Sequence, residues 1–481
     1  MKKVILSILI AIYFACNISH KTSFSDIEKV LIEQLTKNDI CFDSIKMKID
    51  KSNLFEADFI SFSTNVDSMF NATKKTEDAH VIVKNYVKIN EDCYRAKLYY
   101  WYAFNHSLIK RQKYVLPEKF TEKVPKIPFD DTCLLNIVGY RNFVDAYLDT
   151  KGKLLAEQNS NNYNDHIFTN SKLDIVANEF KNEKLRNYAL KEIMKNHINS
   201  YGSYNTENLL LRFNTLCSNT NFKNEISTLF KTAKEKNTDV LIKTYKKREK
   251  YDLKTYIFTP KTAGNKTLPV VCCFFGGGWY EGTPEQFFEY CRYFTEMGYV
   301  ALSFEYSIKG RFNATPIEGL QDVKSAIRWT RQHSRELNID PNNLTAIGWS
   351  AGGHLVADAG LVEGFNDPNE DSITNEKPNI CVLIAPCFEP LKDNWFYYQL
   401  ENKCEPKLLS PTQNIKRVNS KFLCLMGTKD EYNPLYTATD FERLMKAKNN
   451  TCKLIIKEGF RHSGFMNKPG WQMIYDFMKC P

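Results

Sequence analysis

The spacing of apolar residues changes character along the chain. From residue 22 to about Pro117, short runs such as Ala79-His80-Val81-Ile82-Val83 and Ala96-Lys97-Leu98-Tyr99-Tyr100-Trp101 stand between polar turns, a pattern that predicts strands. Over 133–148, 171–200 and 206–234 the apolar positions recur every third or fourth residue, as in Phe180, Leu185, Tyr188, Leu190, Ile193 and Met194. That spacing predicts amphipathic helices packed on one another. Beyond a basic stretch at 234–250 the pattern alternates. Apolar runs at 256–258, 270–275, 299–304, 344–349, 380–384, 422–426 and 453–456 read as strands, and 285–297, 319–337 and 436–447 read as helices. Strands apolar on both faces, alternating with helices, imply a mostly parallel sheet covered on both sides. The chain is therefore expected to comprise a smaller accessory region, 22–236, β-rich and then helical, followed by an α/β domain, 239–481.

A covered parallel sheet places its chemistry at the carboxyl ends of its strands. The run 344–349 ends in Gly348-Trp349-Ser350-Ala351-Gly352-Gly353-His354, and helix-compatible sequence follows. That is the layout of a nucleophile elbow: the serine sits on a strained strand-to-helix turn, and glycines stand two residues to either side because a side chain there would strike the backbone. A nucleophilic Ser350 needs a base, a group to orient the base, and donors for an oxyanion. Asp430 follows the run 422–426 in Gly427-Thr428-Lys429-Asp430, and His462 follows 453–456. The order Ser350, Asp430, His462 is that of α/β-hydrolases. Glu431 is the rival to Asp430, while His354 and His333 rival His462 from predicted helices. Backbone donors are expected from Phe275-Gly276-Gly277-Gly278-Trp279, after the run 270–275, with Gly277 and Gly278 joined by Ala351. Trp279 and Tyr280 are expected to line the substrate pocket.

Five pieces carry a family resemblance: Phe275-Gly276-Gly277-Gly278-Trp279, the segment Asp322-Val323-Lys324-Ser325-Ala326-Ile327-Arg328-Trp329, the Ser350 elbow, Gly427-Thr428-Lys429-Asp430 and His462-Ser463-Gly464-Phe465. With these the C-terminal half resembles the hormone-sensitive-lipase-like and acetyl-xylan-esterase-like α/β-hydrolases, many of them exported carbohydrate esterases. The resemblance implies an α/β-hydrolase fold and a serine esterase acting on short esters, with O-acetyl groups on a polysaccharide or oligosaccharide as the natural target. Two departures stand out. Phe275 occupies the place of the family's usual histidine before the glycines, and Glu305-Tyr306-Ser307 replaces its frequent Asp-Tyr-Arg. Prolyl-oligopeptidase-type peptidases share the triad order, but their blade repeats have no counterpart in the first half. A non-catalytic envelope protein that keeps a hydrolase scaffold is the alternative from another class. The implied mechanism needs neither metal nor organic cofactor.

Composition adds limits. A content of 43% apolar and 13% aromatic residues supplies ample core. The net charge of +9 is dispersed among 56 acidic residues, without the dense basic patch that nucleic acid requires. Lys2-Lys3 followed by the apolar run Val4 to Ala15 has the form of an export signal, 1–16, too short to span a bilayer comfortably. Phe14-Ala15-Cys16 resembles the end of a bacterial lipoprotein signal, with Tyr13 in place of the usual leucine, so Cys16 is the candidate lipid anchor and the one expected membrane link; ordinary cleavage near Ala15 or Ser19, leaving a soluble secreted protein, is the alternative. The 14 cysteines show no zinc spacing. Those in apolar runs, such as Cys272, Cys273 and Cys424, are expected to be buried thiols, whereas export would permit disulfides among Cys41, Cys93, Cys133, Cys217, Cys404, Cys452 and Cys480.

Overall fold

The computed structural model describes residues 59–71, 81–109, 116–127, 134–135, 138–158, 166–237, 240–261, 267–370 and 373–479. Residues 1–16, expected to form an export signal ending at Cys16, and Cys41, Cys133 and Cys480, lie outside the described residues. The polypeptide forms two compact units, one of residues 1–159, 168–194 and 211–224, the other of 160–167, 195–210 and 225–481.

The second unit is built on one sheet of eight strands in the order β1-β2-β4-β3-β5-β6-β7-β8. The strands are β1 Leu241–Lys247, β2 Asp252–Phe258, β3 Leu268–Phe274, β4 Val300–Phe304, β5 Ile339–Trp349, β6 Ile380–Ile384, β7 Lys421–Gly427 and β8 Cys452–Lys457. β1 and β2 run antiparallel to their neighbours, and every pairing from β4 to β8 is parallel. Val270 to Phe274 in β3, all of β4 and most of β5 to β7 are buried, as expected of strands covered on both faces. The helices Phe288–Glu296, Pro316–Gln332, Ala351–Leu361, Leu435–Ala447 and Lys468–Lys479 belong to this unit. Pro316–Gln332 starts at a capping box: the Thr315 side chain accepts the Ile317 N–H, Glu318 accepts the Thr315 N–H at 2.8 Å, and Pro316 fills the first helical position.

β1 and the C-terminal helix escape the sequence pattern, as does the short helix Asn394–Leu400. β1 lies within the basic stretch at 234–250, and as an edge strand it exposes Leu241 and Ile242, so it shows neither a continuous apolar run nor clean alternation. It is anchored instead by charge. The buried Lys246 ammonium lies 3.0 Å from Asp322, 2.9 Å from Asp367 and 3.3 Å from Glu370, and Arg248 pairs with Asp322 at 2.6 Å. The C-terminal helix Lys468–Lys479 is the second unread element.

In the first unit the expected strands are corrected. Val81–Ile109 is one helix, and both runs read as strands fall on it wherever they are described. Cys93, Ala96, Tyr99, Tyr102 and Ala103 are buried at three- and four-residue intervals, whereas Trp101 is 41% exposed. The β-favouring aromatics concealed a helical face that packing selects over local preference. Tyr99 and Tyr102 join Phe62, Val66, Leu98 and Phe120 in the core, with Phe62 stacked on Tyr102 at 4.1 Å and Ser63 Oγ 2.8 Å from the Tyr99 hydroxyl. The amphipathic helices appear as Val138–Gln158, Ile167–Glu179, Glu183–Tyr201, Glu207–Leu216 and Thr220–Glu235, the last three divided between the two units.

Cys272, Cys273 and Cys424 are buried free thiols. Of the cysteines expected to be open to pairing, Cys93, Cys217, Cys404 and Cys452 are also free. No helix among the described residues is long and apolar enough to cross a membrane.

Candidate active site

β5 delivers its last residue, Trp349, to the carboxyl edge of the sheet, and the helix Ala351–Leu361 begins two residues on. Ser350 between them has φ 52° and ψ −119°, a conformation that L residues adopt only when their surroundings enforce it. The surroundings are steric and hydrogen-bonded. A Cβ on Gly348 would lie 2.3 Å from the Gly352 carbonyl oxygen, and one on Gly352 would lie 2.3 Å from those of both Phe274 and Phe275. The Ser350 N–H donates to Ile384 O at 2.8 Å, and its carbonyl accepts the His354 N–H at 3.0 Å.

The glycine-rich loop after β3 passes directly over this turn. A Cβ on Gly276 would meet Ser350 Cβ at 3.1 Å. Gly277 takes φ 139° and Gly278 φ 60°, so both need to be glycine. Neither amide donates to an acceptor among the described residues, and Ala351 opens its helix, where no intrahelical carbonyl stands behind the N–H. The missing histidine at Phe275 is compensated by Tyr306, whose ring stacks on Phe275 at 4.2 Å while its hydroxyl donates to Phe275 O at 2.8 Å. The Gly276 N–H donates to Gln286 Oε1 at 3.1 Å, and the Trp395 indole N–H donates to Gly278 O at 2.9 Å.

β7 and β8 supply the remaining pair. Asp430 follows β7 by three residues, and both of its oxygens lie at 3.0 and 3.1 Å from His462 Nδ1. Asp430 Oδ1 also accepts the N–H groups of Tyr432 and Asn433, each at 2.9 Å. Burial alone would raise the Asp430 pKa; the hydrogen bond and charge of His462, with those two amides, outweigh it and hold the carboxyl below its ordinary range. Glu431 has a different part, accepting the His462 backbone N–H at 3.1 Å and pairing with Arg461. Trp349 links this loop to the elbow, its indole N–H reaching His462 O at 3.3 Å.

His354 is fully buried, with Nε2 2.8 Å from Leu409 O, and burial pushes its pKa down to about 4. His333 stacks on Trp329 at 4.1 Å. Trp279 requires a correction. Its backbone takes φ 60° and its ring is buried edge-on between His354 at 5.2 Å and Phe396 at 5.0 Å, so it underlies the loop and does not wall a pocket. Tyr280 remains half-buried, its ring 5.9 Å from that of Trp395. Gln286 and Trp395 went unnoticed in the sequence, because each acts on the loop through a contact that no local motif announces, and Tyr306 stood out only as the centre of Glu305-Tyr306-Ser307. Among the described residues no cluster of three or more His, Cys, Asp or Glu could hold a metal ion.

A parallel, helix-covered sheet with a strained serine at the end of β5 and a carboxylate–imidazole pair after β7 and β8 decides the architecture. The C-terminal half has the α/β-hydrolase fold. Residues 256–385 of this α/β-hydrolase match the family model described as BD-FAE. Esterase LipQ of Mycobacterium tuberculosis is 34% identical over 110 residues, 23% of this chain and 25% of LipQ. Esterase LipC of the same organism is 25% identical over 217 residues, 40% of this chain and 51% of LipC. The chain thus spans between a quarter and half the length of these relatives. Among solved structures, Thermogutta terrifontis esterase 2 phosphoramylated by tabun is 33% identical, with a TM-score of 0.48, over 50% of this chain and 94% of that one.

Proposed function

We propose that this α/β-hydrolase is a serine esterase that cleaves short-chain carboxylic esters. The observation that carries the reading is the pairing of His462 with the ionised Asp430 on the loop that Trp349 ties to the strained Ser350 turn. Similarity to proteins named as esterases supports it. Ser350 Oγ attacks the ester carbonyl carbon while His462 Nε2 takes its proton; Asp430 holds the Nδ1–H tautomer and stabilises the imidazolium. The oxyanion is received by the N–H groups of Gly277, Gly278 and Ala351. Collapse breaks the bond to the alkoxide, which leaves with the proton from His462. Water, deprotonated by the same imidazole, then hydrolyses the acyl-serine.

For the natural substrate we propose O-acetyl groups on a polysaccharide or oligosaccharide. Family resemblance supports this, as do the half-buried rings of Tyr280 and Trp395 beside Gly278 and that of Tyr398, parallel to Trp395 at 5.6 Å. Such rings offer a sugar amphipathic stacking faces. The test is hydrolysis of p-nitrophenyl acetate, butyrate and octanoate by the purified protein beside Ser350→Ala, followed by acetate release from acetylated xylo-oligosaccharide. Turnover that favours acetate and vanishes in the variant is expected. No Ser350-dependent turnover on any ester would refute the esterase reading; p-nitrophenyl turnover without acetate release would refute the glycan.

A further inference from the structure

The glycine-rich loop is held partly from within, the Tyr280 and Glu281 N–H groups donating to Gly277 O at 3.1 and 3.0 Å, and partly from outside. Its backbone is fastened at Gly276, whose N–H donates to Gln286 Oε1, and at Gly282, whose carbonyl accepts Arg311 Nη2 at 3.1 Å. Gly282 also lies against Gly276, since a Cβ there would be 2.3 Å from Gly276 O, so the two fastenings secure the two ends of one closed loop. Both fasteners are themselves held from outside the sheet domain's own sequence, by a turn more than 70 residues upstream of the loop. Gln286 Nε2 donates to Ser200 O at 3.4 Å, and Thr283 Oγ1 donates to Tyr201 O at 2.8 Å. Glu285, next to Gln286, accepts the Ser203 N–H at 2.7 Å and the Ser203 hydroxyl at 3.0 Å. Tyr204 donates its hydroxyl to the buried Glu305, which lies 3.6 Å from Arg311, and the Arg311 guanidinium lies over the Tyr204 ring at 4.6 Å. Gly202, at φ 71°, lets the turn come this close; a Cβ there would lie 1.8 Å from Glu285 Oε2.

We propose that the turn 200–206 is a brace for the glycine-rich loop, and that Gln286 is the positioning residue through which it sets the Gly276–Gly278 backbone. This gives part of the upstream helical region a task in the site itself. The chain of contacts runs from the Ser200 carbonyl through one carboxamide to the amide of Gly276, whose Cα lies against Ser350. A side-chain amide is suited to this place because it accepts from one backbone and donates to another. A loop released at this point has to be reorganised during the reaction, and misplaced donors lower kcat while leaving ground-state binding nearly unchanged.

The brace is tested in the full-length protein with Gln286→Leu, which breaks both links, Gln286→Glu, which keeps the acceptor for Gly276, and the double variant Ser203→Ala/Tyr204→Phe, which cuts the side-chain bonds from the turn. Amide hydrogen exchange over 276–282, measured well below each variant's melting temperature, should accelerate about tenfold or more in Gln286→Leu and in the double variant, and recover most of the way in Gln286→Glu. On p-nitrophenyl acetate, kcat should fall about ten- to a hundredfold in Gln286→Leu with KM within about twofold, and Gln286→Glu should restore most of it. Exchange within about twofold of the parent in both the leucine and double variants overturns the brace. So does accelerated exchange accompanied by an unchanged kcat, or by a loss confined to KM. The kinetic arm rests on the esterase reading and the exchange arm does not. A parent without Ser350-dependent turnover would therefore refute the esterase while exchange still decides the brace.

Discussion

Asp430 and Glu431 are adjacent carboxylates on one loop, both bonded to His462, and replacing each by its amide separates their roles. In Asp430→Asn the carboxamide faces Nδ1 across the 3.0 Å now spanned by a charge-assisted bond. Oδ1 stays committed to the Tyr432 and Asn433 amides, so the side-chain NH2 is directed at His462. Nδ1 must then accept, the ring proton moves to Nε2, and the base can no longer take a proton from Ser350. An amide that imposes the wrong tautomer lowers kcat by about 10³ to 10⁴, or about 4 to 5.5 kcal/mol of barrier. In Glu431→Gln the remaining carbonyl still accepts the His462 N–H, and what is lost is the attraction to an exposed Arg461, about 0–1 kcal/mol. Its kcat should stay within about fivefold of the parent. The assay is steady-state hydrolysis of p-nitrophenyl acetate with active sites titrated by a phosphonate. A Glu431→Gln loss as deep as that of Asp430→Asn, or an Asp430→Asn enzyme retaining more than about a tenth of kcat, would refute the assignment. Stability gives a second readout. Because the folded Asp430 carboxyl titrates below its ordinary value, its stabilising contribution is present above about pH 4 and is lost as pH falls through the lower, folded value. The stability gap between parent and Asp430→Asn should therefore narrow below pH 4.

Burial depresses the His354 pKa to about 4 against an ordinary 6.5, so the unfolded chain binds the proton first, and this residue should cost about 3 kcal/mol of stability as pH falls from 6.5 to 4. Asp358, whose pKa burial raises, acts in the opposite sense and lies 3.4 Å from His354 Nε2, so urea midpoints of parent and His354→Asn at pH 7 and pH 4 read the histidine together with its carboxylate neighbour; equal pH slopes would refute the histidine's cost. Lys246→Met leaves Asp322 and Asp367 buried with Arg248 as the nearby cation and should cost about 3 kcal/mol in urea unfolding at an unchanged m-value. A change under about 1 kcal/mol would show that the cluster does not hold β1. Gly352→Ala forces a methyl to within 2.3 Å of two backbone carbonyl oxygens and should both destabilise the fold by about 1–3 kcal/mol and abolish phosphonate labelling of Ser350. Labelling at the parent rate would refute the steric account of the elbow.

What could be read from the sequence divides by the range of the interaction that decides it. The strands β3 to β7 were legible because covered parallel strands are largely apolar runs, and the elbow was legible because its collisions, Gly348 against Gly352, occur within five residues. β1 was not, since an edge strand held by Lys246 and Arg248 shows only basic residues until Asp322 and Asp367 are seen beside it. The helix Val81–Ile109 was misread because Tyr99, Tyr100 and Trp101 are locally β-favouring, and the helical face that buries Tyr99 and Tyr102 is chosen by Phe62 and Phe120. Trp279 was misplaced for a related reason: its position beside the glycines suggests a pocket, but its φ of 60° and the rings of His354 and Phe396 turn it into the core.

The same division bears on where the accessory helices end and the hydrolase begins. A boundary drawn where the apolar period changes, near residue 239, assigns 195–210 to the upstream region, yet those residues cluster with the sheet. Period reports how a segment folds locally and says nothing of what it packs on. Tyr204 supplies the hydroxyl to a carboxylate at Glu305, about a hundred residues later, and Ser203 supplies two donors to Glu285. Without the turn, Glu285 and Glu305 would lose these donors, and Glu305 would be left with the Lys254 N–H and Arg311. A chain beginning at residue 239 should therefore hold the glycine-rich loop less firmly even where its sheet is intact. On the proposed bracing, the smallest unit able to hold the glycine-rich loop in place begins upstream of Ser200.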